Sequence, residues 1–327
     1  MQRRKFMSAG FGMLAFASGA GWSSVPASSR GDATLPGQRL YRAADLAFGT
    51  TVSIQVVHHN EREAREAIDA AFSQARQIDK LLSLYREGSQ VHTLNTAGRL
   101  ENPDPHLLAV LEESMRLSAL TKGAFDITVQ PLWQAAAGER DPAAALDLVG
   151  WRHLDIARDV VRLRQPGMAI TLNGIAQGYA TDLALAALRT RGIRNALVDI
   201  GELASVGRGV DGTDWRVGID AQGASSTAKG ARMDGRCIAT SGEVTSMGIG
   251  NDMRRHIYDP ATGQPAAALS SVSVAAPTAM LADGLSTALM VLGKARGMQL
   301  VRQLPGVDAL FIDKRGKASW SAGFPFA

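Results

Sequence analysis

One change of period constrains this chain more than any other feature. Across residues 50–57 the apolar side chains alternate, with Val52, Ile54 and Val56 on one face and Thr51, Ser53 and Gln55 on the other. That is the period of a half-buried strand. Across residues 60–85 the period becomes helical: Ala64, Ala67, Ile68, Ala71, Ala75, Ile78 and Leu82 recur on one stripe, and Glu61 with Arg65 adds an i,i+4 pair. A one-faced strand followed by a long one-faced helix calls for a sheet layer packed on a helix layer. Residues 40–45 supply a preceding strand. The turn Ala47-Phe-Gly-Thr50 joins the two, and Gly49 lets the backbone approach a ligand closely.

The rest of the chain continues the mixture. A helix over 105–121 packs through Leu107, Leu108, Leu111, Met115 and Leu117, after a short helix that Ser89 caps and that runs to Asn95. Residues 151–155, 160–163 and 168–172 read as short strands. A glycine-bearing turn then opens a helix from about Ala180 to Arg191, closed by Gly192. Residues 196–200, 215–219, 271–276, 307–312 and 318–320 read as strands, and 221–235 as a loop. A helix over 279–292 carries Asp283 in its first turn and ends at Gly293, with 298–303 helical again. Hydrophobic content of 46% with 6% aromatic residues suits an α/β or α+β enzyme.

The N-terminus reads as an address. Gln2-Arg-Arg-Lys-Phe-Met7 is a paired-arginine segment, residues 8–21 are moderately apolar, and Val25-Pro-Ala27 offers small residues for cleavage. The pattern is that of a twin-arginine export signal over 1–27, followed by a flexible linker over 28–39 and one catalytic domain over 40–327. The expected location is the bacterial periplasm, with no membrane-spanning segment in the mature chain. Removing Arg3, Arg4 and Lys5 takes the formal charge from +4 to 4 − 3 = +1, which argues against nucleic acid as a partner. The single cysteine, Cys237, cannot form an internal disulfide and reads as a buried small hydrophobe.

Chemistry concentrates in His256-Ile-Tyr-Asp-Pro-Ala-Thr-Gly-Gln-Pro265. Pro260, Gly263 and Pro265 divide it into tight turns, which Asp259 and Thr262 can hold through neighbouring backbone. His256 stands at its entrance, able to move protons near neutral pH. The small turn Thr240-Ser-Gly242 lies upstream and Ala282-Asp-Gly-Leu-Ser-Thr287 downstream. Asp126 sits among Phe125, Ile127 and Val129, so it must be paired or reached by solvent. His58, His59, His92, His106 and His153 show no ligand spacing, and none is assigned to a metal.

Six segments, in order, resemble the ApbE family of FAD:protein FMN transferases: Phe48-Gly-Thr50, Ser83-Leu-Tyr85, Gly123-Ala-Phe-Asp-Ile-Thr128, Gly174-Ile-Ala-Gln-Gly-Tyr179, Thr240-Ser-Gly242 with 256–265, and Ala282–Thr287. The resemblance spans essentially the whole mature chain. It implies an α+β, T-fold-related catalytic domain with mixed sheets flanked by helices. It implies flavin contacts at Phe48, Tyr85, Ala124, Phe125, Asp126, Gln177 and Ile257. It places a divalent ion, Mg²⁺, at Asp283 and Thr287 with Ser286 and a backbone oxygen near Gly174. Hard oxygen ligands suit Mg²⁺, and Asp283 and Thr287 are four apart on one helix face. The implied reaction transfers FMN from FAD to a Thr or Ser hydroxyl of a periplasmic or membrane flavoprotein, with His256 as base and AMP leaving.

The chain departs from the family pattern at Thr171, where an acid is usual, and at Gln177, where Lys or Glu is common. It also departs at Gly201-Glu-Leu203 and at Phe48. A lost charged hydrogen bond costs about 1.5–3 kcal/mol, so these changes bear on FAD affinity rather than on reaction type. Two other readings remain: a periplasmic FAD carrier without transfer, and a hydrolase releasing FMN and AMP. The segment 172–178 and the export signal also resemble the branch linked to nitrous-oxide respiration.

Overall fold

The computed structural model describes residues 23–25, 37–219, 229–242, 244–246 and 253–327. Most of the export signal, residues 28–36 of the linker and residues 221–228 of the expected loop lie outside the described residues.

A nine-stranded sheet forms the centre. Its strands are β1 Ser23–Val25, β2 Arg39–Ala47, β3 Thr50–His58, β4 Ala196–Asp199, β5 Leu203–Val206, β6 Cys237–Gly242, β7 Leu269–Ala276, β8 Asp308–Asp313 and β9 Ala318–Trp320, and they lie side by side in chain order. Every described pairing is antiparallel, in register such as Ile54↔Val198, Asp199↔Leu203 and Thr240↔Ser273. Four long helices are inserted between strands: α1 Glu61–Leu82, α2 Pro105–Leu120, α3 Ala176–Thr190 and α4 Ala279–Val301. α1 packs on α3, α3 on α4, and α4 on β6 and β7. The α+β reading therefore holds.

Alternation along the strands sorts side chains into two cores. Val52, Ile54, Val56, Ala239, Val272, Val274 and Phe311 join the helices in the larger one. Leu40, Val57, Ile238, Leu310 and Ile312 face the other way, onto Trp215, Ile219 and Phe324. A fully buried Leu, Ile or Phe contributes about 1.5–3 kcal/mol, so the helix face carries most of the stability.

Several boundaries differ from expectation, each for a local reason. The first helix stops at Leu82 because the Ser83 hydroxyl accepts the Tyr85 and Arg86 N–H groups. Trp151–His153 is a 3₁₀ turn rather than strand, with the Trp151 N–H donated to Asp126 Oδ2 at 2.9 Å. Thr240-Ser-Gly242 is the end of β6, not a turn. Lys229–Arg232, expected in a loop, is a strand paired with Arg216–Ile219. Asp283 lies in the second turn of α4, whose first helical residue is Ala279. Gly293, at φ 70°, breaks that helix where expected.

The most informative difference is residues 168–172, which are not a strand. The Asn95 carboxamide takes the place of a neighbouring strand there. Its Nδ2 donates to Ile170 O at 2.8 Å and its Oδ1 accepts the Ile170 N–H at 2.7 Å. The Thr171 N–H goes to Ile127 O at 2.8 Å. This fixes the segment that feeds the glycine turn. Asn95→Ala leaves both Ile170 backbone groups unpaired and is expected to cost about 2 kcal/mol. Urea unfolding measures it; a loss under about 0.5 kcal/mol would contradict this role.

Candidate active site

The glycine turn leads directly into α3, which begins at Ala176, four residues earlier than expected. Its third residue, Gly178, has no acceptor within its own helix, as for any first-turn N–H. The acceptor comes from α4: the Gly178 N–H donates to Asp283 Oδ2 at 3.0 Å. The reverse arrangement holds α4. Asp182 of α3 accepts the Ala279 N–H at 2.8 Å and the Met280 N–H at 2.9 Å. Each helix thus caps the other's N-terminus with a carboxylate. The packing is so close that a Cβ on Gly178 would meet Ala279 O at 2.4 Å.

Beside this joint stands a cluster of hydroxyls. Ser286 Oγ donates to Asp283 O at 2.9 Å. Ser241, at the end of β6, lies 2.7 Å from Ser286 Oγ and 3.3 Å from Thr287 Oγ1. Gly174 approaches from the turn; a Cβ there would lie 2.8 Å from Thr287 Oγ1. So Gly174, Asp283, Ser286 and Thr287, named from separate stretches of sequence, converge, and Ser241 joins them.

Four carboxylates share the neighbourhood: Asp182, Asp199, Glu202 and Asp283. Burial raises the Asp283 carboxyl to about 7, opposed by the Gly178 N–H and reinforced by Asp182. Burial also lifts Glu202 well above the carboxylate range, with Asp283 and Asp199 adding to it. One Glu202 oxygen accepts the Thr240 N–H, while Oε2 is buried without a partner among the described residues. An orphaned buried carboxylate oxygen is costly, and several buried acids close together favour a divalent ion. Carboxylate, hydroxyl and carbonyl oxygens fit Mg²⁺. Sequence reasoning treated Glu202 only as a departure; its burial against Asp283 across distant segments left no local signal.

The His256 loop is built as its residues suggest. Asp259 Oδ1 accepts the Ala261 N–H at 2.9 Å, Thr262 Oγ1 accepts the Gln264 N–H at 3.3 Å, and the Gly263 N–H goes to Asp259 O at 2.8 Å. Ile257 is buried in the main core, which anchors the entrance. His256 is half-buried, with Nδ1 fully enclosed and without a partner among the described residues. Burial lowers its pKa below the ordinary 6.5, so the ring is neutral at pH 7. Trp133 lies against it, ring centroids 6.2 Å apart, and packs edge-on to Tyr258 at 6.0 Å. Trp133 was not singled out in the sequence, where it is one apolar residue of a short helix.

The remaining candidates take different positions. Phe48 and Gly49 form the two-residue β2–β3 hairpin, with φ 53° and 73°. This matches a primed turn, but a bulky residue at positive φ is strained, a feature common at ligand sites. Gln177 Nε2 donates to Ile200 O at 3.3 Å and lies so close to Gly201 that a Cβ would meet it at 2.1 Å. Phe125 is 3% exposed and fills the core, so its backbone is the part that can meet a ligand. Half-buried Ala124 adjoins it. Asp126 is committed to its loop: Oδ1 accepts from Thr128 N at 2.8 Å and Thr128 Oγ1 at 2.6 Å, and Oδ2 from Trp151 N. Tyr85 is 61% exposed, and partial burial, with nearby Glu139 adding to it, raises its phenol. Cys237 is buried, which pushes its thiol up to about 12.

The pattern described as the ApbE family matches residues 48–311. The chain belongs to the ApbE family. It is 32% identical over 337 residues to an FAD:protein FMN transferase of Klebsiella pneumoniae, covering 95% of this chain and 93% of that protein. It is 30% identical over 304 residues to one of Vibrio cholerae, covering 85% and 90%. Among solved structures, the Vibrio cholerae flavin transferase ApbE superposes with a TM-score of 0.76 at 28% identity over 88% of this chain and 98% of that one. The apo flavinyl transferase ApbE of Pseudomonas stutzeri gives 0.76 at 31% identity over 88% and 96%. The ApbE match begins at the Phe48 turn and includes both halves of the helix joint.

Two substitutions separate the roles of the joint. Asp283→Asn keeps an acceptor for Gly178 but loses the charge, so folding stability should change little while flavin-transfer activity is lost. Gly178→Ala forces α3 and α4 apart and should cost about 1–3 kcal/mol. Thermal unfolding with AMP release distinguishes them; a destabilised Asn variant would contradict the assignment.

Proposed function

We propose that this chain transfers FMN from FAD to a Thr or Ser hydroxyl of an acceptor flavoprotein, with Mg²⁺ bound at the helix joint and His256 as base. Membership of the ApbE family, and relatives named FAD:protein FMN transferase at 30–32% identity over most of the chain, support the reaction class. The observation that carries the site is the convergence of Gly174, Asp283, Ser286 and Thr287 at the N-terminus of α3. The positive end of the α3 dipole favours a pyrophosphate there.

The residues then divide the work. Asp283, Thr287 and the Gly174 backbone would hold Mg²⁺, with Ser286 beside them and Glu202 Oε2 as a further oxygen nearby. When bound, Mg²⁺ offsets charge developing on the pyrophosphate oxygens. Phe48, Gln177, Ile257 and the 124–126 backbone would orient the flavin. His256, neutral at pH 7, accepts the acceptor hydroxyl's proton. The hydroxyl oxygen bonds to the FMN-side phosphorus as the bond to the AMP oxygen breaks, and AMP leaves with the electron pair. Trp133 and Tyr258 shield the imidazole from water, which favours a protein hydroxyl over hydrolysis.

The paired arginines of residues 1–27 support export to the periplasm, and so an acceptor there or at the membrane face. No described helix is long and apolar enough to cross a membrane.

Incubation of the mature chain with FAD, Mg²⁺ and a periplasmic flavoprotein domain should release AMP and add one FMN to the acceptor by mass. Both should be lost in His256→Ala and Asp283→Ala. AMP without labelling would favour hydrolysis, and FAD binding without AMP would favour a carrier. The rate should fall on acidification with a midpoint below 6.5, because the neutral ring is the active form. Stability has the same sign. Between its folded value and 6.5, His256 binds the proton more strongly in the unfolded chain, so stability falls as pH drops through that window. His256→Gln should lose this dependence in pH-resolved unfolding.

A further inference from the structure

We propose that His58, His59 and Glu63 form a site for a borderline divalent transition-metal ion of the Zn²⁺ or Ni²⁺ class, separate from the flavin site. One ligand atom from each residue lies within 4.8 Å of the others. It is the only such group of His, Cys, Asp or Glu among the described residues.

Sequence spacing gives no reason to expect it, since adjacent residues of a strand point to opposite faces. β3 ends at His58, however, and the chain bends at His59. The bend turns both rings to one side, with centroids 4.3 Å apart and planes at 36°. Glu63 then comes round on the first turn of α1.

Two of the ligands are oriented by the same residue, Asn60. His58 Nδ1 lies 3.0 Å from Asn60 O. With the ring proton there, Nε2 presents its lone pair outward, the arrangement in which metal-ligating histidines are usually held. The Asn60 N–H donates to the same nitrogen at 3.2 Å, which favours the ring proton on Nε2 until an ion displaces it and selects the Nδ1–H tautomer. Asn60 also caps α1. Its Oδ1 accepts the Glu63 N–H at 3.3 Å and its Nδ2 donates to Glu63 Oε1 at 2.9 Å. That leaves Glu63 Oε2 facing His58 Nε2 at 3.8 Å. Two ligands about 2.0–2.2 Å from a tetrahedral ion stand roughly 3.4 Å apart, so a small closure completes the set. Two imidazoles and a carboxylate select borderline metals over Mg²⁺. His59 and Glu63 are exposed, so water can fill the fourth position.

The site lies at the far end of the β2–β3 hairpin from Phe48 and Gly49, where His58 pairs with Arg39. At about 3.4 Å per residue, β3 separates the two ends by roughly 27 Å. An ion there clamps the corner between the sheet and α1 and takes no part in transfer.

The test titrates the untagged full chain with Zn²⁺ against a chromophoric chelator, with saturating Mg²⁺ present. The expected result is one Zn²⁺ per chain, weakened at least roughly ten-fold in His59→Ala and in Glu63→Gln and unchanged in Asp283→Asn. Gln at position 63 keeps the bond to Asn60, so α1 remains capped, and AMP release should equal that of the wild type in both site variants. Failure to bind one equivalent, equal binding by His59→Ala and Glu63→Gln, or loss of Zn²⁺ in Asp283→Asn would each overturn the proposal.

Discussion

The two carboxylates exchanged between α3 and α4 are the contact on which the rest of the molecule depends. Helix N-termini carry unsatisfied N–H groups, and burying them without acceptors is costly. Here Asp283 reaches from α4 to Gly178, and Asp182 reaches from α3 to Ala279 and Met280. The exchange fixes both the distance and the rotation of the two helices. Because α4 lies on β6 and β7 while α3 packs on α1, β4 and β5, the joint locks together two helices that both rest on the sheet. Glycine at 178 is the condition for it, since no side chain fits against Ala279 O.

The same joint makes the site. Asp283 cannot hold Gly178 without placing Thr287, one turn further along, against Gly174 and Ser241. The positive end of α3 and a set of oxygen donors thus meet at one point, with the carboxyl groups of Glu202 and Asp199 behind them. Such a place attracts both a divalent cation and the pyrophosphate it would carry. The His256 loop is built independently, by its own turns and by Ile257 in the core, and contributes a neutral imidazole walled by Trp133 and Tyr258.

Much of this was legible in the sequence because it is local. The period change between residues 50–57 and 60–85 gave the layer structure, and the turn residues of 256–265 form the bonds their types allow. Asp283 and Thr287 share a helix face by spacing alone. What was not legible depends on pairs far apart in the chain. Residues 168–172 have a strand's composition, but their partner is the Asn95 side chain. Asp182 looks like one polar residue of an amphipathic helix until Ala279 is placed against it. Glu202 and Trp133 acquire meaning only through burial beside Asp283 and His256. His58 and His59 would face apart in a continuing strand, and only the bend brings them together.

The most direct test of the account locates the divalent ion. Crystals of the protein with FAD and Mn²⁺ in place of Mg²⁺ would show it by anomalous scattering. The account predicts one Mn²⁺ bound by Asp283, Thr287 and the Gly174 carbonyl, absent in Asp283→Asn although α3 and α4 keep their places. Mn²⁺ bound elsewhere, or retained at the joint in the Asn variant, would contradict it.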